Sequence, residues 1–280
     1  MADEKTIKYL EEKACQVRRE IIKMIHKSTS GHPGGSLSAA DLVTALYFHF
    51  MRLDPQNPKW ENRDRFILSK GHCCPVLYVA LGLKGFYDCS HFDTLRQFNS
   101  ILQGHPCMNK TPGLDMTSGS LGNGLSIGVG MALGAKLDGL DYRVFVMVGD
   151  GELQEGMVWE ALMAGAKYKL DNLYLIIDYN HLQVDGTVEE IMDIAPLRAK
   201  LEAFNWQVVE IDGHDMTAIV ATLEKVTQPH QGPVAIIAHT VKGKGVSYME
   251  NKVEWHGLAP DDQQLAVALQ ELGEGGGGNG

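Results

Sequence analysis

The sequence predicts an α/β fold in which a mainly parallel sheet carries helices on both faces. Short apolar runs alternate with longer helical patterns over residues 143–239, which is typical of parallel strands joined by crossover helices. The chain has 280 residues, of which 44% are hydrophobic and 21% charged, enough for one domain with a substantial core. We therefore expect a single domain over residues 1–272, followed by a disordered, glycine-rich tail over residues 273–280.

The individual elements follow from local patterns. Residues 5–29 place apolar side chains on one face of a helix. Ser38 with Asp41 resembles a capping box that opens the next helix. Residues 53–64 are rich in Pro, Asn and charge and predict a loop before a short buried strand at 66–68. The later predicted elements are strand 143–148, helix 153–168, strand 172–178, helix 190–203, strand 206–211, helix 215–226, strand 233–239 and a last helix at 260–272.

A long irregular segment precedes the alternating part of the chain. Residues 104–124 are dense in Gly, Pro, Ser and Thr, and such segments are often functional loops. A helical pattern then covers residues 125–137 although it contains three glycines, each of which costs a helix about 1 kcal/mol relative to alanine. Close packing against another element would explain these glycines, and the stretch 117–134 fits a surface that a partner buries.

The composition excludes several classes of partner. The net charge is −10 and the pI is near 5.5, so neither nucleic acid nor an anionic membrane is expected to bind over a broad surface. The N-terminal residues lack a signal-peptide core, and no apolar run is long enough to span a bilayer. The five cysteines are odd in number and form no CxxC pair, which favours reduced thiols and a cytoplasmic location.

An acid and an amide follow two neighbouring strands of the predicted sheet. Asp150, flanked by glycines, comes directly after the apolar run 144–148, and Asn180 follows the run 173–177. In open α/β sheets, ligands bind outside the carboxyl ends of the strands. These side chains, with a backbone carbonyl just past Asn180, suit a Mg²⁺ ion held on a phosphate-bearing cofactor. The competing interpretation is a tight Asp-Gly turn after each strand.

Two further features favour the cofactor over the simple turn. The glycines on either side of Asp150 allow the backbone and a phosphate to approach each other closely. The next segment, residues 152–168, is predicted as a helix, and the N-terminus of a helix favours an anion.

Four of the eleven histidines lie in loops that contain Gly or Pro, namely His32, His72, His105 and His256. If these loops converge at the strand ends, the imidazoles could donate hydrogen bonds to a developing alkoxide and move protons near neutral pH. A zinc site is the alternative, although no local ligand pair such as HxxxH occurs. The remaining histidines are interpreted as structural or exposed: His26, His49, His91, His181, His214, His230 and His239.

Several motifs accompany these residues in a fixed order. They are Ser30–Gly34 (SGHPG), Asp64–His72 (DRFILSKGH), Gly104–Pro106 (GHP), Ser118–Gly124 (SGSLGNG), Gly149–Gly156 (GDGELQEG) followed by Glu160, and His256–Pro260 (HGLAP). The GDG motif with Asn180 matches the thiamine diphosphate motif, and the whole set, over residues 30–260, resembles transketolase. Each motif is weak alone, but together they are highly specific.

The resemblance implies roles for the four loop histidines. His72 would contact thiamine diphosphate, whereas His32 and His105 would face the sugar substrate. His256 would reach both the diphosphate and the substrate. In this interpretation the thiamine cofactor supplies the carbanion chemistry, and the protein positions hydroxyl groups and moves protons.

The resemblance also implies the cofactor and metal ligands. Asp150 and Asn180, with the backbone carbonyl of Leu182, would bind Mg²⁺, or Ca²⁺ or Mn²⁺ in its place. The backbone amide of Gly151 would donate to the diphosphate. The remaining residues expected to bind the cofactor are Gly119, Ser120, Leu121 and Glu152.

Acidic and basic residues near these motifs have two interpretations each. Glu155 and Glu160 are either the solvated acidic start of a helix or part of a carboxylate network at a subunit interface, as the family suggests. Lys242 and Lys244 could approach a phosphate, but a mobile surface loop is favoured for them.

The resemblance stops short of a complete enzyme. In transketolases a second, pyrimidine-binding domain supplies the glutamate that activates thiamine, and the sequence contains no second α/β domain. We therefore expect a split transketolase, in which this chain is the N-terminal, diphosphate-binding subunit. A separate C-terminal subunit would complete an α₂β₂ assembly that moves a two-carbon ketol unit from a ketose phosphate, such as xylulose 5-phosphate, to an aldose phosphate.

Four alternatives remain open. Within thiamine enzymes, the chain could be the α subunit of a 2-oxoacid dehydrogenase or could carry out 1-deoxyxylulose-5-phosphate synthase-like chemistry. The histidine loops favour transketolase over the first, and a pyruvate-dependent assay would separate the second. A non-catalytic cofactor-binding protein would not need all four histidines. A nucleotide-binding module is disfavoured because neither a P-loop nor a GxGxxG motif after the first strand is present.

Overall fold

The computed structural model describes residues 3–273, so positions 274–280 of the predicted tail lie outside the described residues. Within this range the chain forms one five-stranded sheet with the strand order β1-β2-β3-β5-β4, and every pair of neighbouring strands is parallel. The predicted α/β fold with a parallel sheet is therefore confirmed. The strands are β1 (Arg65–Leu68), β2 (Val144–Gly149), β3 (Leu173–Tyr179), β4 (Gln207–Asp212) and β5 (Val234–His239).

Helices precede, separate and follow the strands. They are α1 (Glu4–Ser28), α2 (Pro33–Ser38), α3 (Ala40–Ala45), α4 (Cys74–Lys84), α5 (Asn123–Asp138), α6 (Gly156–Lys167), α7 (Val188–Met192), α8 (Leu197–Ala203), α9 (Met216–Val226) and α10 (Asp262–Glu271). Among residues 3–273, no helix combines the length and the apolar character that crossing a membrane requires.

The sheet has an apolar core on each face because successive strand residues point to opposite sides. In β2, Phe145 and Met147 belong to the core that packs under α1, α3, α4 and α9, whereas Val144, Val146 and Val148 belong to the core under α5 and α6. Since both faces are covered, the strands are almost entirely apolar, as is typical of parallel sheets.

The strand register places the candidate site residues at the same edge of the sheet. Gly149 of β2 pairs with Asp178 of β3, so Asp150 and Asn180 follow neighbouring strand ends. The predicted convergence of these two residues depends on this pairing, and the pairing is present.

Two local predictions about helix starts were wrong. Ser38 is the last residue of α2 rather than a cap, and its hydroxyl donates to the carboxylate of Asp178 and to the carbonyl of Gly35. The following helix begins at Ala40 after Ala39, without a side-chain cap. The buried position of Ser38 explains why: a hydroxyl that satisfies a buried carboxylate is not available to cap a helix.

The segments after Asp150 and after residue 188 also differ from the prediction. A 3₁₀ turn covers Gly151–Gln154, and α6 begins only at Gly156, so the start of the α-helix does not face Asp150 directly. The predicted helix at 190–203 is two short helices, α7 and α8, separated by an extended segment that contains Pro196. Proline favours an extended conformation in the residue before it, which interrupts a helix.

The glycines of α5 differ from each other in their surroundings. A side chain at Gly128 would collide with the buried methyl groups of Val146 in β2, so close packing explains this glycine. No atom lies within 4 Å of the position that a side chain would occupy at Gly130 or Gly134. Packing within the chain therefore explains one of the three glycines, and the other two lie on an open face.

This difference predicts opposite effects of the same substitution. Gly128→Ala should lower the free energy of unfolding by about 1–2 kcal/mol because the added methyl group overpacks a rigid β-branched neighbour. Gly130→Ala should raise it by up to about 1 kcal/mol because alanine favours the helix and meets no obstacle. Urea unfolding of both variants beside the parent chain measures the two changes. Equal changes would contradict the packing argument.

Candidate active site

A cavity of about 260 Å³ opens at the carboxyl ends of β1, β2 and β3. Its wall combines acidic, amide, basic and imidazole side chains from segments that are far apart in the sequence. Two larger cavities lie elsewhere on the chain, but neither contains a histidine or any of the predicted site residues. The predicted residues in the wall of the first cavity are His72, Leu121, Asp150, Gly151, Glu152, Glu155, Asn180, Leu182, Lys242 and His256.

Asp150 is buried, and its carboxylate is only partly satisfied by the protein. It accepts hydrogen bonds from the backbone amides of Gly151, at 2.8 Å, and of His181. Burial and the nearby charge of Asp178 raise the pKa of Asp150 to about 6. A bound cation would offset this unfavourable charge.

Asn180 and Leu182 present oxygen atoms beside Asp150. The side-chain oxygen of Asn180 accepts from the backbone amide of Leu182 at 3.2 Å, which holds the turn after β3. The carbonyl of Leu182 points at Lys242, whose Nζ lies 2.9 Å away. A carboxylate, an amide oxygen and a backbone carbonyl therefore line one wall.

Glu152 lines the cavity, but its carboxylate is already occupied within the protein. It accepts hydrogen bonds from the hydroxyl of Ser69, the backbone amide of Gly122 at 2.8 Å and that of Gly149 at 3.1 Å. Glu152 therefore joins the end of β1, the glycine-rich loop and the end of β2, which favours a role in shaping the cavity over direct cofactor contact.

Lys70 and Asp178 form a buried ion pair that the sequence patterns did not reveal. Lys70 also donates to the carbonyl of Gly35 at 2.9 Å. Burial by itself would raise the pKa of Asp178, but the Lys70 charge and hydrogen bonds from Ser38 and Thr240 lower it below its usual value. Lys70 lies between Ser69 and Gly71 in the DRFILSKGH motif, so its position was a usable signal.

Three of the four predicted histidines lie in mutual contact. The ring centroids of His32 and His72 are 5.2 Å apart, those of His32 and His256 are 5.6 Å apart, and those of His72 and His256 are 5.1 Å apart. Burial and the charge of His72 lower the pKa of His32 to about 4. Burial, with the charge of Lys70 for His72 and of Lys242 for His256, lowers their pKa values to about 4 and about 3.

Neighbouring cations determine which nitrogen carries the proton in two of these rings. Lys242 Nζ lies 2.9 Å from Nδ1 of His256, and Arg96 Nη2 lies 3.3 Å from Nδ1 of His32. Ammonium and guanidinium groups can only donate, so both Nδ1 atoms accept and both rings carry their proton on Nε2. Each neutral ring is therefore a hydrogen-bond donor through Nε2.

Arg96 joins two of the histidine loops, and no sequence signal pointed to it. It donates to the hydroxyl of Ser30 at 2.8 Å and to the carbonyl of Gly104 at 3.4 Å, in addition to its contact with His32. These bonds hold the SGHPG loop against the loop of His105. Arg96 stands outside every motif of the family, so only the tertiary structure shows its role.

The fourth histidine, His105, is exposed at the edge of the cluster. A side chain at Gly119 would lie 3.7–3.9 Å from atoms of His105, so the two loops are in close contact. Burial and the charge of His72 lower the pKa of His105. Leu121 lines the cavity, whereas Gly119 and Ser120 are exposed beside it.

The remaining acidic and basic predictions have separate outcomes. Glu155 lies at the cavity wall directly before α6, and Glu160 is exposed on that helix. The expectation of a mobile surface loop is wrong for Lys242, which is 2% exposed and bonded to both Leu182 and His256. Lys244 is partly exposed and pairs with Glu250 at 3.8 Å.

The donor set fits a hard divalent cation on a diphosphate better than zinc. Asp150, Asn180 and Leu182 offer oxygen atoms, which Mg²⁺ and Ca²⁺ prefer, and Lys70 and Lys242 offer positive charge to phosphate oxygens. Within residues 3–273, no group of three or more His, Cys, Asp or Glu is arranged to hold a metal ion. The cations on the Nδ1 atoms of the histidine cluster are also unfavourable for zinc.

Comparison with known proteins decides the family. Residues 11–275 match the family described as transketolase, thiamine diphosphate binding domain. The chain belongs to the transketolase family. The predicted resemblance is confirmed, and so is the predicted enzyme class, one subunit of a transketolase.

Two relatives of similar length are named as subunits. The chain is 46% identical to the named subunit of apulose-4-phosphate transketolase from Phocaeicola vulgatus, with 96% of this chain and 95% of the relative covered. It is 42% identical to 6-deoxy-6-sulfo-D-fructose transketolase subunit SqwG of a Clostridium species, with 94% and 96% covered. Both relatives are therefore matched over nearly their whole length.

A solved transketolase shares the fold but is much longer. The structure of transketolase from Campylobacter jejuni superimposes with a TM-score of 0.89 at 32% identity and covers 95% of this chain, but only 43% of that protein is matched. The transketolase domain of this chain thus corresponds to less than half of the solved protein.

The depressed pKa of His72 predicts a specific dependence of stability on pH. The folded-state pKa, about 4, lies below the usual 6.5, so the unfolded chain takes up the proton first as the pH falls. The neutral ring therefore costs no stability at pH 7, and stability is lost between pH 6.5 and 4 by up to about 1.4 kcal/mol per pH unit. His72→Asn should make the free energy of unfolding fall less steeply in this window.

Urea unfolding at about pH 7, 6 and 5 measures this slope. His49→Asn, at an exposed position outside the cavity, is the matched control. An unchanged slope in His72→Asn would show that the imidazole is not buried as described.

Proposed function

We propose that this chain is the diphosphate-binding subunit of a two-chain transketolase that uses thiamine diphosphate and Mg²⁺, with Ca²⁺ or Mn²⁺ as possible replacements. The reaction would transfer a two-carbon ketol unit from a ketose phosphate to an aldose phosphate. The observation that carries the proposal is the combination, in one cavity, of oxygen ligands for a cation with donor imidazoles.

Each wall of the cavity would have a separate task. Asp150, Asn180 and the carbonyl of Leu182 would hold the cation, and the amide of Gly151 would bind the diphosphate. The bound thiamine would supply the carbanion chemistry of the reaction. Leu121 offers the apolar surface against which the cofactor would lie, with Gly119 and Ser120 beside it.

The histidines would handle the substrate oxygens. His32 and His256 are held as neutral rings with the proton on Nε2, so each would donate a hydrogen bond to a sugar oxygen and could exchange a proton there. His72 would contact the cofactor, and His105, at the exposed edge, would meet the sugar. The neutral state matters because a neutral ring can accept as well as give a proton.

A partner subunit would complete the site. The names of two relatives that are matched over nearly their full length designate them as subunits of transketolases, which supports an assembly with a second chain. We propose a C-terminal subunit that carries the pyrimidine-binding domain, in an α₂β₂ complex located in the cytoplasm. Glu155 and Glu160, exposed beside the cavity, are available to a carboxylate network at that interface.

The names of the relatives widen the range of donor substrates. One is named for apulose 4-phosphate and another for 6-deoxy-6-sulfo-D-fructose, whereas xylulose 5-phosphate was the donor expected from the sequence. We propose a ketose with a phosphate or similar anionic group as donor. All three compounds belong in the substrate panel, together with pyruvate, which would reveal 1-deoxyxylulose-5-phosphate synthase-like chemistry.

Reconstitution tests the proposed function directly. The purified chain should show no ketol transfer alone and should gain activity when its C-terminal subunit, thiamine diphosphate and Mg²⁺ are added. Asp150→Asn should lower that activity at least about 100-fold at limiting Mg²⁺, because an amide is a far weaker ligand than a carboxylate. Release of the aldose product is the measurement.

The control for this experiment is Asp141→Asn, which changes an exposed carboxylate outside the cavity. Full activity of the single chain would contradict the split arrangement. Equal activity of Asp150→Asn and the control would contradict the metal site.

One exposed surface fits the partner. Ile127, Gly130, Gly134 and Leu137 follow one another at helical spacing along α5, and this stripe is called the α5 surface. Ile127 is 38% exposed and Leu137 is 78% exposed, and the two glycines would let another chain approach closely. Met163, on the neighbouring α6, extends this apolar area and is 56% exposed.

A large side chain on the α5 surface should block assembly without unfolding the subunit. Gly130→Arg should abolish co-purification with the C-terminal subunit, while the melting temperature of the isolated chain stays within about 2 °C, because the new side chain meets open space. Thr217→Arg, at an exposed position on α9 on the opposite face of the sheet, is the control. Retained association of Gly130→Arg would exclude the α5 surface as the interface.

A further inference from the structure

His214 lies in the turn between β4 and α9, outside the cavity, and nothing in its sequence context set it apart from the other structural histidines. Its side chain is 12% exposed. It contacts two segments at once: the buried helices on one side and the long loop after β5 on the other. This placement distinguishes it from the remaining histidines that were expected to be structural.

Hydrogen bonds determine the state of the His214 ring. Nε2 accepts from the backbone amide of Val241 at 2.8 Å, and Nδ1 lies 2.7 Å from the carboxylate of Asp41. A backbone amide can only donate, so Nε2 carries no proton and Nδ1 donates to Asp41. The ring therefore acts as a neutral bridge with one donor end and one acceptor end.

The other end of the bridge is anchored in the core. Asp41 of α3 is buried and forms a two-point ion pair with Arg18 of α1, with distances of 2.9 and 2.5 Å. Burial alone would raise the pKa of Asp41, but the charge of Arg18 and the hydrogen bond from His214 lower it to about 2. The carboxylate is thus a fixed acceptor for the ring.

The loop end of the bridge lies next to the site. Val241 directly precedes Lys242, whose Nζ donates to Nδ1 of His256 and to the carbonyl of Leu182, both at 2.9 Å. Gly243, on the other side, donates its amide to the carbonyl of Gly34 at 3.0 Å. The backbone on both sides of Lys242 is therefore held, on one side by His214.

We propose that His214 is a positioning residue for the cofactor site: through the Val241 amide it holds the segment that carries Lys242, and through Lys242 it sets the orientation of His256. It touches neither the cavity nor the histidine cluster and acts only through this backbone bond. The effect on the cofactor rests on the function proposed above, whereas the effect on the loop does not.

Two isosteric substitutions separate the two ends of the ring. His214→Gln places an oxygen near the Nε2 position and retains an acceptor for the Val241 amide. His214→Asn places its amide near the Nδ1 position and retains only the bond to Asp41. Each variant loses one hydrogen bond, so a purely structural role predicts similar losses of thermal stability and of function in both.

The first measurement is hydrogen–deuterium exchange of peptides that cover residues 240–250 in the full chain. His214→Asn should speed exchange there about tenfold, whereas His214→Gln should stay within about threefold of the parent chain. His49→Gln and His49→Asn, at an exposed position, are the controls. Equal exchange in both His214 variants would overturn the proposed backbone bond.

The second measurement uses the complex with the C-terminal subunit. His214→Asn should raise the thiamine diphosphate concentration for half activity about tenfold, a factor that corresponds to about 1.4 kcal/mol, with His214→Gln close to the parent. Faster exchange without this shift would overturn the positioning role. A parent complex that fails to respond to thiamine diphosphate would contradict the proposed function, and the exchange result would still decide the loop contact.

Discussion

Asp178 is fully buried at the carboxyl end of β3 and joins four parts of the chain. Its carboxylate pairs with Lys70 after β1 and accepts from Ser38 at the end of α2 and from Thr240 after β5. An unpaired carboxylate at this depth would be very unfavourable, so each of these segments must stay in place to satisfy it. The loops that carry the candidate histidines and metal ligands begin next to these contacts, and the site depends on this buried charge.

Cations that never enter the core prepare the imidazole cluster. Lys242 and Arg96 donate to the Nδ1 atoms of His256 and His32, which leaves both rings neutral and with Nε2 as donor. The same positive charges would attract an anionic cofactor and an anionic sugar. Burial and positive neighbours act in the same direction on the pKa values of the histidines, so the cluster remains neutral well below pH 7.

Local patterns predicted most of the fold because a parallel sheet that is covered on both faces leaves a clear signature of apolar runs. The same patterns failed where a side chain had a distant partner. Ser38 has the sequence of a helix cap but donates to Asp178, far away in the chain. Lys242 has the sequence of a mobile surface loop, yet it is buried because its ammonium group meets two acceptors from other segments. Such partners are visible only once the sheet order is known.

The sequence by itself determined the family, the order of the elements and the predicted roles of Asp150, Asn180 and the four loop histidines, because each belongs to a motif of contiguous residues. The tertiary structure decided the contacts between motifs. Arg96 and His214 stand outside those motifs, and their roles arise from bonds to segments 64 and 27 positions away. Local sequence records which groups are present, but the direction of a hydrogen bond across the fold depends on how the strands are arranged.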